Sequence, residues 1–125
     1  MSELKNQISQ FIDTNAKIYQ DISLAIHAKP EVSDFEYFAS QTLSEQLKKE
    51  GFEIELPAAG HRTGFAATYK SNKPGPTVVF LAEYDALAGL GHGCGHNVFG
   101  ATSSLAGAAL KSVVDQIGGE ARVYG

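Results

Sequence analysis

The chemistry open to this chain is concentrated in one stretch, Glu83-Tyr84-Asp85-Ala86-Leu87-Ala88-Gly89-Leu90-Gly91-His92-Gly93-Cys94-Gly95-His96-Asn97. It holds the single cysteine, two of the four histidines and glycines at alternating positions 89, 91, 93 and 95. His92, Cys94 and His96 are spaced by two, so extended backbone would send all three to one side. The Cβ atoms of such neighbours stand about 7 Å apart, too far for both tips to meet one ion unless the chain curls. Gly93 and Gly95 permit that curl. Thiolate and imidazole are ligands that zinc prefers, at about 2.3 and 2.0–2.1 Å. Asp85 offers a hard carboxylate or a hydrogen bond that fixes a histidine tautomer; its spacing fits a loop-capping carboxylate equally well. Glu83 and His92 read as supporting groups. Cys94 and His96 alone do not close a tetrahedral structural site, which points to a partial or catalytic one. Two other readings stay open: Cys94 as a thiol nucleophile with His92 or His96 as base, and a metal-binding module without catalysis.

The elements around this stretch must hold it in place. Leu4, Ile8, Phe11, Ile18, Ile22 and Ile26 keep helical spacing, interrupted only by Asn15. Ser2 is the expected N-cap, and Pro30 the stop. Ser33-Asp34-Phe35-Glu36 has the form of a capping box opening a second helix, with Phe35, Phe38, Thr42, Leu43 and Leu47 as its buried face and Gly51 past its end. Phe52–Leu56 alternates as a half-buried strand does, Thr63–Lys70 reads as another strand, and Ser71–Pro76 as the turn after it. Thr77–Ala82 is apolar apart from Thr77, which predicts a central strand covered on both faces. Val98–Ile117 returns to helical spacing with a small-residue surface, Gly118-Gly119 ends it, and Ala121–Tyr124 begins a last strand. His27, at a helix end, and His61, in a polar loop, read as structural and surface histidines respectively. Helices alternating with strands predict an α/β layered sheet, with the chemistry at the carboxyl edge of the strands.

The chain has 125 residues, 43% hydrophobic and 19% charged, the composition of one ordinary globular domain. Its net charge of −4 argues against a nucleic-acid partner. No apolar run approaches the roughly 18 residues of a membrane span. A lone cysteine, and an opening segment Met1–Gln7 without a basic stretch leading into an apolar one, make a cytoplasmic location the expectation.

Glu83-Tyr-Asp-Ala-Leu87, followed by Gly91-His-Gly-Cys-Gly-His-Asn97 and a small-residue helix, resembles the amidohydrolase branch of the zinc aminoacylase/carboxypeptidase family. The family's Asp-Ala-Leu-Pro stretch and its His-x-Cys-Gly-His-Asp/Asn motif match these positions. Ile26-His-Ala-Lys-Pro-Glu-Val-Ser33 with Glu36, and Gly51-Phe-Glu-Ile54, resemble its upstream segments. Within the branch the likeness is to HmrA-like bacterial amidohydrolases associated with methicillin resistance. The resemblance implies a layered zinc-exopeptidase-like (phosphorylase/hydrolase-like) α/β domain with a mixed sheet flanked by helices. It places metal ligands on Cys94 and His96, with Asp85 as the aspartate that orients the centre. The implied cofactor is zinc or another divalent metal such as manganese or cobalt, as one or two ions. The implied substrates are N-acyl amino acids or small peptides, and the implied assembly a homo-oligomer formed through an inserted dimerisation domain. Residues 1–125 would be the N-terminal part of the catalytic domain, incompetent alone. In the family, paired glutamates follow the strand that Ala121–Tyr124 resembles, one as general base and one as metal ligand; Glu120 lies before that strand and cannot replace them. Two departures stand out: Ala88 occupies a usual proline position, and Asn97 replaces the acidic residue of many members. A thiolate ligand must be deprotonated, so metal binding through Cys94 would weaken as pH falls.

Overall fold

The computed structural model describes residues 2–125, with side chains from Glu3 onward; the cap expected at Ser2 lies outside the described side chains. The elements run α1 (Ser2–Ala28), α2 (Tyr37–Lys49), β1 (Glu53–Glu55), β2 (Ala66–Lys70), β3 (Thr77–Leu81), α3 (His96–Ile117) and β4 (Glu120–Tyr124). The strands form one mixed sheet in the order β1-β2-β4-β3. β1 pairs antiparallel with β2 and β2 with β4, while β3 runs parallel to β4 with Val78 opposite Ala121 and Phe80 opposite Val123.

The core lies between the helices and one face of this sheet. Ile26, Leu43 and Leu47 from α1 and α2 are fully buried with Ala67, Ala121 and Val123 from the strands. Each buried Leu or Ile contributes on the order of 1.5–3 kcal/mol. α3 packs closely over β4 because Gly107 has no side chain: a Cβ there would collide with Val123 Cγ2, with Phe80 next in line. Strand alternation turns Glu120, Arg122 and Tyr124 to the opposite face. There the Arg122 guanidinium donates to Glu120 Oε1 (2.8 Å from Nη2) and to the Tyr124 hydroxyl (2.9 Å). The hydrogen bond from Arg122 holds the Glu120 carboxyl below its usual range. That carboxylate is therefore already paired.

Three expectations need correction. Within residues 2–125 the Thr77–Ala82 run lies at the sheet's edge, with Val79 40% and Leu81 64% exposed, and β4 stands between it and β2. A run of apolar residues cannot distinguish two covered faces from one, and here Phe80 packs against the core while Val78 is 39% exposed. The second helix opens without the Ser33/Glu36 capping box: its N-cap, Glu36, makes no side-chain cap. Instead Glu31 reaches across, its two carboxylate oxygens accepting from Phe38 N–H (2.9 Å) and Ala39 N–H (3.0 Å). Glu36 turns away to accept from the Thr63 hydroxyl at 2.8 Å. With the helix starting at Tyr37, Phe35 lies outside it and is 52% exposed, and Ala39, Ser40 and Ser44 join Leu43 and Leu47 on the buried face. On α1, Tyr19 rather than Ile18 carries the buried stripe.

Replacing Gly107 with alanine is expected to lower unfolding stability by about 1–3 kcal/mol through overpacking against Val123, as a reduced midpoint in denaturant titration with secondary structure retained below it.

Candidate metal centre

The strand chain continues past β3 as Ala82-Glu83-Tyr84-Asp85, and the alternation sorts these residues. Tyr84 points inward and is buried; its ring stacks on Phe65 (centroids 6.0 Å apart) and its hydroxyl donates to the Thr63 carbonyl at 2.5 Å. Burial pushes the Tyr84 hydroxyl well above its ordinary pKa, so it stays a donor. Glu83 and Asp85 therefore share the other side. The third group comes from α3, whose first residue is His96. Its N-cap, Gly95, sits at φ 75°, a left-handed conformation that lets the loop swing directly into the helix.

His96 lies between the two carboxylates. Nδ1 is 2.6 Å from Asp85 Oδ1, and Nε2 is 3.2 Å from Glu83 Oε2. Donor atoms of the three residues all lie within 4.8 Å of one another. The Phe99 ring stands edge-on to the imidazole, centroids 5.8 Å apart. The short contact to Asp85 fits an Nδ1–H donating to that carboxylate, while Nε2 faces the Glu83 carboxylate. This is the carboxylate–histidine arrangement that presents an imidazole to a metal. The donor set of two oxygens and one nitrogen fits a divalent cation. Beside it a cleft of about 520 Å³ is lined by Asp34, Glu36, His61, Thr63, Glu83 and Asp85 among others.

No family model matches the chain. Among curated proteins it is 31% identical to one of the subunits of the p-aminobenzoyl-glutamate hydrolase of Escherichia coli K12, over all of this chain and 30% of that protein. It is 32% identical to thermostable carboxypeptidase 2 of Saccharolobus solfataricus (98% of this chain, 34% of the relative) and 34% identical to mouse Xaa-Arg dipeptidase (91% and 28%). A solved structure of a proposed aminohydrolase from methicillin-resistant Staphylococcus aureus superposes with a TM-score of 0.82 at 26% identity, over 95% of this chain and 34% of that one. The chain belongs to the M20 family of zinc-dependent amidohydrolases and carboxypeptidases. It spans about a third of the length of the M20 relatives it matches. A Bacillus subtilis structure described as a dinuclear metal binding peptidase of the M20 family shares the fold, with a TM-score of 0.68 at 22% identity.

Against the M20 motif, the structure brings Asp85 and His96 together and leaves Cys94 outside their cluster. The loop curls, with Gly95 N–H donating to the His92 carbonyl at 3.2 Å, and Cys94 is exposed on the outside of the turn. Glu83, read from sequence as supporting, stands in the cluster; the signal for it was the Glu-x-Asp spacing on strand-like backbone, which puts both carboxylates on one side. Among the described residues no hydrogen bond joins Cys94 to a histidine. The His96 nitrogens face carboxylates, and neither His92 nitrogen has a hydrogen-bond partner although both are buried. Asn97, where many M20 members are acidic, donates its amide to the Ser23 hydroxyl at 3.1 Å and to the Ser23 carbonyl at 3.3 Å, tying α3 to α1. An aspartate there could not donate.

His92 stacks on His27 with centroids 6.2 Å apart. Burial first, and then the neighbouring His27 charge, hold its pKa below the ordinary 6.5; the Ile26 carbonyl pulls the other way without reaching hydrogen-bond geometry. The unfolded chain therefore binds more protons than the folded one as pH falls through about 6.5, and folding stability drops until the lowered folded value is passed. Thermal melts between about pH 7.5 and 5.5 are expected to show this fall, and the His92→Phe variant to show a shallower one.

Proposed function

We propose that this chain supplies one half of the metal centre of an M20 amidohydrolase that cleaves amide bonds of N-acyl amino acids or small peptides with metal-activated water. What carries the reading is His96 held by Asp85 with its second nitrogen presented at the carboxyl edge of the sheet. Two relatives support the substrate class: one is named for hydrolysis of an acylated glutamate, another for dipeptides ending in arginine. Both names describe an acyl group joined to an amino acid. The likeness to the staphylococcal structure supports the HmrA-like branch. The matched relatives are about three times longer, so the activity is proposed for a protein of that length, with residues 1–125 as the N-terminal part of its catalytic domain. A homo-oligomer acting in the cytoplasm completes the reading.

His96, and Cys94 after rotation of its side chain, would hold zinc, manganese or cobalt, as one or two ions. Bound metal lowers the pKa of its water and polarises the substrate carbonyl. Asp85 keeps the Nδ1 proton in place, which holds the imidazole plane fixed and its Nε2 lone pair directed into the site. Tyr84 and its bond to Thr63 keep the carboxylate-bearing strand from rotating out. Phe99 packs against one side of the imidazole, the two rings edge-on.

A protein of the relatives' length containing this chain is expected to hydrolyse N-acyl amino acids only with divalent metal present. Asp85→Asn should lower metal affinity or kcat/KM about 10–100-fold, and His96→Ala by at least as much. Hydrolysis that survives exhaustive chelation but not alkylation would instead favour Cys94 as nucleophile. Full activity in both Cys94→Ala and His96→Ala would end the metal assignment.

A further inference from the structure

We propose that Glu31 is a positioning residue of the metal centre: its side chain grips the start of α2 while its carbonyl holds Ala86, which fixes where Asp85 meets His96. The inference rests on the metal reading above for its consequence, though not for its geometry. β4 supports the strand chain only as far as Ala82, whose N–H donates to the Tyr124 carbonyl at 2.8 Å. Among the described residues, the next backbone hydrogen bond along the chain runs from Ala86 N–H to the Glu31 carbonyl, at 2.7 Å. Val32 and Ala86 form a parallel bridge at the same place. The peptide plane that carries Ala86 N–H also carries the Asp85 Cα. The Glu31 carbonyl therefore sets the direction in which the Asp85 side chain leaves the backbone.

What aims that carbonyl is the Glu31 side chain. Its two carboxylate oxygens accept from Phe38 N–H (2.9 Å) and Ala39 N–H (3.0 Å), two of the free amides that open α2. Its negative charge lies at the positive end of the helix dipole. Leu43 and Leu47, both fully buried, hold α2 in the core, so the far end of the Glu31 side chain is pinned to a rigid body. A cap alone asks for less, since a short polar side chain at the N-cap satisfies such amides locally. Here the N-cap is Glu36, and its carboxylate is committed to the Thr63 hydroxyl at 2.8 Å. The Thr63 carbonyl in turn accepts from the Tyr84 hydroxyl. The start of α2 thus reaches the strand chain twice, at Tyr84 through Glu36 and Thr63, and at Ala86 through Glu31. Asp85 is the residue between the two holds.

The test compares the 125-residue chain with its variants Glu31→Ala, Glu31→Gln and Leu47→Val. Leu47→Val loosens α2 roughly 14 Å along the helix from Phe38 and leaves Glu31 in place. In the zinc-free chain, NMR follows the Asp85 carboxyl carbon, the His96 Nδ1 nitrogen, and the exchange of Ala86 N–H relative to that of the buried Val123. Glu31→Ala is expected to raise this exchange ratio at least tenfold and to move both side-chain resonances. Glu31→Gln keeps one acceptor oxygen and should fall between Glu31→Ala and wild type. Leu47→Val should leave the ratio within twofold and the resonances in place, although it too lowers the melting temperature. Zinc chloride, titrated by calorimetry, should bind Glu31→Ala at least tenfold more weakly than wild type. Unmoved resonances and a ratio within twofold of wild type in both Glu31 variants would make Glu31 a helix cap and nothing more. Equal zinc affinity in wild type and Glu31→Ala overturns the proposal as well. If wild type takes up no zinc, the metal reading falls, and the zinc-free resonances and exchange ratio decide on Glu31 by themselves.

Discussion

The short hydrogen bond between Asp85 and His96 joins the carboxyl end of β3 to the first turn of α3. It is where two separately folded pieces of chain must agree in position to within tenths of an ångström. Asp85 is aimed by the alternation that buries Tyr84, and Tyr84 is anchored in turn by Phe65 and the Thr63 carbonyl. His96 is aimed by a left-handed glycine and by the amide of Asn97, which fastens α3 to α1. Glu31 adds a further tie: its side chain caps α2 while its carbonyl accepts from Ala86 N–H at 2.7 Å, next to Asp85. Bonds from α1 and from the cap of α2 thus reach the residues next to Asp85 and His96.

That meeting of strand end and helix explains the small residues nearby. A histidine in the opening turn of a helix can face a strand end only if the helix axis lies close to the sheet, and Gly107 allows this close approach further down α3. The arrangement also accounts for the unusual polarity of the site. Two carboxylates on one imidazole leave an excess of negative charge, which a multivalent cation neutralises far better than a single proton. M20 membership and this charge pattern therefore point to the same chemistry by separate routes.

Much of this was legible in the residues. Three helices and four short strands follow from periodicity and from Pro30, Gly51 and Gly118, and the site stretch was marked by its glycines, cysteine and histidines. What was not legible depended on partners distant in sequence. Glu36 looked like a capping residue because Ser33 stands three positions before it, but Thr63, in a later turn, competes for its carboxylate and Glu31 takes over the cap. Hydrophobic content does not record which neighbour pairs with β3; within residues 2–125 strand order is set by the crossover of α3, which inserts β4 between β2 and β3. Glu83 was undervalued because its place beside the imidazole shows only once α3 brings His96 to the strand end.

The position of β4 carries a consequence for biosynthesis. β4 follows both β2 and β3 in sequence and is bonded to β2 on one side and to β3 on the other. While the ribosome is still delivering α3, β2 and β3 have no shared neighbour and their inner edges are open. The β1–β2 hairpin can form early, whereas the pairings of β2 and β3 with β4 wait until β4 has emerged, and until then their open edges are what a chaperone has to shield.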